Sequence, residues 1–164
     1  MAVIQAHGIA ANLPSGFEGR IFVRAVPTGT AYAVGQFATF PLPDDVGDFG
    51  GGAVNLMGPG DVYATLFEYG PESLGKRLFA QQGLPTGFSP NDFSPMTLRR
   101  GLGGQSGTQR FFTEADRPFS FYAVLGSHVL RNSLAPKVNA LLSSMALSPP
   151  AYGTALPSER PAWN

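Results

Sequence analysis

The chain holds 164 residues, 43% of them hydrophobic and 13% charged, with 11 basic and 11 acidic side chains and no cysteine. This length buries a core without disulfides or a structural metal. Missing thiols exclude thiolate zinc, iron–sulfur and cysteine-nucleophile chemistry, and zero net charge leaves no broad field to gather nucleic acid. Gly and Pro number 21 and 15, about 22% of the chain and below the roughly 25–30% that marks disorder, so an ordered, turn-rich domain is expected.

The charged fraction is about half of that usual in soluble domains. Either neutral polar groups face water, or another protein covers part of the exterior, since charge is depleted at interface cores. Residues 1–8 carry no basic cluster and no long apolar run, and nowhere does an apolar stretch approach bilayer-spanning length. A cytoplasmic chain without membrane insertion is the expectation.

Residues 1–16 read as an N-terminal arm. Arg20 to Val26 mixes β-branched and aromatic residues after the Pro14-Ser15-Gly16 turn and predicts a strand. Pro27-Thr28-Gly29-Thr30 then turns the chain into a second extended run, Tyr32 to Leu42. From Pro43 to Gly60 glycine dominates, which predicts a loop with one helical turn. Asp61 to Tyr69 gives the clearest strand pattern and belongs at the sheet centre. Glu72 to Ala80 reads as a short helix entered through Pro71, with Leu74, Leu78 and Phe79 on one side.

Residues 81–107 hold three prolines and no steady apolar period, so they read as a long irregular arm, a kind of segment that is usually functional. Gln109 to Thr113 and Pro118 to Leu125 predict a hairpin through Glu114-Ala115-Asp116-Arg117. In its second strand Phe119, Phe121, Ala123 and Leu125 share the core face. Leu134, Val138, Leu141, Leu142 and Met145 recur at helical spacing, predicting an amphipathic helix from Ser133, its N-cap, to Ala146. Residues 148–164, with four prolines, Tyr152 and Trp163, read as an extended proline-rich tail.

Taken together these elements give an α+β fold: a mainly antiparallel sheet of about five strands with a C-terminal amphipathic helix on one face, the alternative being a β-sandwich with a terminal helix. Residues 17–147 form one domain, flanked by the N-terminal arm and the tail.

Chemistry-bearing patterns are sparse. Gly101 to Gly107 has the glycine content of a phosphate cradle but lacks the strand before and helix after that such a loop needs. Asp44, Asp45 and Asp48 cluster without calcium-loop spacing and suit a solvated turn. Ser127 beside His128 has no nucleophile elbow around it. Charge is ordered in blocks: six acidic residues between Ala25 and Gly75, then five basic residues among six from Lys76 to Arg110, which can pair within the fold or between copies. No catalytic set, cofactor site or metal site is expected.

Phe88 and Phe93 of the arm, with Tyr152 and Trp163 of the tail, lie outside regular elements and are the candidate partner-binding anchors. The leading functional expectation is a non-enzymatic accessory or structural subunit of a larger protein assembly, whose partners are other subunits or copies of itself. One alternative is a small-ligand binding protein with a pocket between sheet and helix near Tyr63, Phe67, Phe121 and Tyr122. Another is a small hydrolase built on Ser127, His128 and a carboxylate.

Overall fold

The computed structural model describes residues 2–25, 31–44, 52–98 and 103–149. Its fold is α+β, with mainly antiparallel sheets and a C-terminal helix. Strands β1 (Ala2–Ala6), β2 (Ile9–Leu13) and β8 (Met145–Leu147) make a three-stranded sheet in the order β1-β2-β8. Strands β3 (Glu18–Ala25), β4 (Ala31–Ala38), β5 (Val62–Glu68), β6 (Ser106–Glu114) and β7 (Arg117–Leu125) make the larger sheet, ordered β3-β4-β5-β7-β6 and antiparallel throughout. Helix α1 spans Arg131–Ser143.

As the period-2 pattern requires, Phe119, Phe121, Ala123 and Leu125 point into the main core, where Leu134, Val138, Leu141 and Leu142 of α1 meet them. The opposite face is buried as well: Tyr63, Tyr122 and Val124 pack with Ala38, Phe40, Ala53 and Val54. The central strands β5 and β7 are therefore buried along their whole length. This explains why residues 62–68 and 118–125 are nearly continuous in apolar and aromatic character rather than alternating.

Several elements differ from expectation. The N-terminal arm is instead the hairpin β1–β2, turned by His7 and Gly8 at φ 54° and 76°. Both turn residues adopt the left-handed conformation that two-residue hairpins require. Four of its ten strand residues are Ala, a weak β-former, so pairing with β8 and burial of Ile9, Ala11 and Leu13 hold it. Residues 71–80 form two separate 3₁₀ turns, Pro71–Ser73 and Arg77–Phe79, because Gly75 at φ 83° breaks the path between them. Phe79 is buried and Leu78 exposed.

Helix α1 starts two residues before the expected Ser133, whose hydroxyl donates to Leu130 O instead of capping. Met145 has already left it for β8. The 27–30 turn and residues 150–164 of the tail lie outside the described residues.

The irregular arm is the largest difference in role. It is irregular as expected, with 3₁₀ turns at Pro90–Asp92 and Pro95–Thr97, but it closes onto its own domain. Gly83 N donates to Thr113 O and Thr113 N to Gln81 O, both at 2.8 Å, while Ser94 and Gly107 exchange a backbone pair at 2.8 and 2.9 Å. The arm thus caps both ends of the edge strand β6, whose backbone groups would otherwise invite another strand. Asn139 of α1 pins its middle, accepting from Phe88 N at 2.8 Å and donating to Phe88 O at 2.9 Å.

Candidate functional site

Phe88 and Phe93 are 4% and 2% exposed and belong to the main core, their ring centroids 5.9 Å apart. Both rings are committed to the chain's own interior, with Phe88 also stacked on Phe121 and under the Arg110 guanidinium. They are therefore not available as partner anchors, a correction to the expectation above. Its physical reason is that their apolar area, stranded in an irregular segment, is buried against α1 and β7 rather than against a neighbour. Tyr152 and Trp163 lie outside the described residues.

The other sequence candidates do not converge. Tyr63, Phe67 and Tyr122 lie on one face of the sheet and Phe121 on the other, all buried, so they do not line one common face. His128 donates its backbone N–H to Gly104 O at 2.6 Å while its Nδ1 is buried without a partner, so it makes no dyad with Ser127. Asp45 and Asp48, and residues 101–102 of the glycine run, lie outside the described residues. Among the described residues no three His, Asp or Glu side chains converge as a metal site would need. Neither the Arg117–Glu68 nor the Arg110–Asp92 pair joins the acidic block to the basic one.

A different grouping emerges at the end of the large sheet where β6 begins and β7 finishes. Four segments are tied together there. Gln105 Nε2 donates to Val54 O at 3.0 Å, which fastens the 3₁₀ turn Val54–Leu56 to the start of β6. His128 N reaches Gly104 O, and Ser94 pairs with Gly107. Gly126 N donates to Asp61 O at 2.9 Å, and the β7 exit runs so close to Gly58 O that a Cβ on Gly126 would collide with it.

These segments carry four of the seven large apolar side chains exposed among the described residues: Leu56 at 60%, Met96 at 91%, Val129 at 83% and Leu130 at 42%. None of residues 52–57, 93–98, 103–107 and 126–130 is Asp, Glu, Lys or Arg. Three buried polar atoms here, Gln105 Oε1, Ser106 Oγ and His128 Nδ1, have no hydrogen-bond partner. Exposed apolar side chains on uncharged backbone can do little chemistry by themselves, but they have the composition of an interface core.

Sequence reasoning missed this grouping because each apolar residue, taken singly, reads as core. One signal was present: Val129-Leu130 precede the helix and fall outside its buried stripe. Comparison of the chain with protein-family models, with curated proteins and with solved structures finds no match.

Proposed function

We propose that this chain is a non-enzymatic accessory or structural subunit of a larger protein assembly, docking through the end of the sheet marked by Leu56, Met96, Val129 and Leu130. The observation that carries the reading is their gathering, by backbone and side-chain hydrogen bonds, onto four uncharged segments. Each such side chain, once covered, contributes about 1.5–3 kcal/mol, enough for a few of them to form the centre of an interface. The arm keeps a part in this reading through Met96 instead of Phe88 and Phe93. Tyr152 and Trp163 stay as proposed tail contacts on their sequence context alone.

The test is the size of the native particle. Epitope-tagged chain, extracted gently from its own source, elutes well above its 17.3 kDa. The M96D/V129D double variant falls to monomer size while keeping its unfolding midpoint, because both positions are exposed. L78D, an exposed apolar site at the other end of the sheet, stays in the large fraction. A wild-type chain that elutes as a monomer from its own source overturns the proposal.

A further inference from the structure

We propose that a second site, independent of the docking end, binds a small organic anion with an apolar body, held by Lys137 in the cleft between α1 and the Pro14–Phe17 turn. The cleft measures about 570 Å³ and is walled by Pro14, Phe17, Pro136 and Ala140, with Thr39, Asp61 and Lys137 as its polar groups. Size and lining match small-molecule sites, which are mostly apolar with a few fixed polar groups.

The walls are held from several sides. Phe17 N donates to Pro14 O at 3.0 Å, closing the turn over Gly16, whose φ of 89° suits glycine. On the floor, Asp61 Oδ1 accepts from Thr39 Oγ1 at 3.0 Å and Oδ2 from Gly58 N at 2.8 Å, while Thr39 Oγ1 accepts from Val62 N at 2.9 Å. Both carboxylate oxygens are thereby engaged by neutral donors.

Lys137 is in the opposite condition. Its Nζ makes one long hydrogen bond, 3.4 Å to Gly60 O, and among the described residues no carboxylate lies within ion-pair distance of it. An ammonium beside an apolar cleft, with no described carboxylate in ion-pair contact and the cleft's own Asp61 already held by neutral donors, selects a ligand that brings an anionic head. A carboxylate or a phosphate supplies that head equally, and a flat ring covers Phe17 and Pro136.

The experiment is an amide-resonance titration of the ¹⁵N-labelled full chain with phenylacetate, phenyl phosphate and benzyl alcohol at constant ionic strength. Phenylacetate or phenyl phosphate shifts Thr39, Gly60, Lys137 and Ala140 together and binds about tenfold more tightly than benzyl alcohol. Whichever anion binds better identifies the carboxylate or the phosphate as the preferred head. K137M loses about that tenfold preference and K137R keeps most of it, with the spectra themselves reporting that each variant is folded. Equal affinity for the alcohol, shifts centred elsewhere, the absence of shifts at millimolar probe, or an unchanged K137M overturns the proposal.

Discussion

The two ends of the five-stranded sheet solve the same problem in opposite ways. Where β5 finishes and β7 starts, the buried Glu68, Arg117 and Thr113 side chains are all hydrogen-bonded. Arg117 is 3% exposed and grips Glu68 with two bonds, Nε to Oε2 at 2.9 Å and Nη2 to Oε1 at 3.0 Å, while its Nη1 donates to Ser148 O at 2.8 Å. Glu68 Oε1 also accepts from Ala33 N at 3.0 Å. Tyr69, Phe79 and Phe111 pack ring to ring around the same end, at centroid separations of 5.2 to 6.0 Å. One ion pair thus ties three strands of the large sheet to the exit from β8.

Among the described residues the far end has no ion pair, three buried polar atoms lack partners, and four large apolar side chains face outward. The contrast separates two jobs. One end spends its polar groups on holding the two sheets together, and the other leaves apolar area uncovered, the area to which we assign the proposed docking.

The largest effect is expected at the closed end. Arg117→Ala strands the buried Glu68 carboxylate and costs about 3–5 kcal/mol in urea unfolding. The double variant Arg117→Met with Glu68→Gln keeps an acceptor for Ala33 N, removes the stranded charge, and recovers most of that loss. A double variant as unstable as the single one breaks the reading of this end as an electrostatic clasp.

At the open end the comparable weakness is a backbone approach. Gly126→Ala forces the β7 exit away from Gly58 and costs about 1–3 kcal/mol, measured by the same unfolding. Ser106→Ala gives the smallest change, within about 0.5 kcal/mol of wild type or slightly stabilising, because the hydroxyl it removes is buried without a partner. A loss above 1 kcal/mol there, on the order of a satisfied hydrogen bond, means that the open end is as complete internally as the closed one.

How far the sequence disclosed this arrangement depends on the range of the interaction. Alternation over Phe119 to Leu125 and the helical stripe from Leu134 to Leu142 are short-range patterns, and both are realised. The central place of β5 followed from its uninterrupted β-forming residues. The β1–β2 hairpin was obscured because its strands have weak intrinsic preference and depend on β8, more than 130 residues later.

The destination of Phe88 and Phe93 was hidden for a related reason. It rests on Asn139, 51 residues beyond Phe88, whose side-chain amide substitutes for a strand partner. The open end depends on Gln105, His128 and Ser94 bringing remote segments together, and the Lys137 cleft pairs residues 14–17 with 136–140. No local pattern encodes either site.

Photo-crosslinking inside the native cell interrogates the open end most directly. A photoreactive residue placed at Met96 or Val129 is expected to give the same discrete heavier adduct, and one at Leu78, also apolar and exposed but beside the closed end, to give none. Adducts of equal yield from all three positions, or from Leu78 alone, would contradict the assignment of docking to the end of the sheet that the chain leaves open.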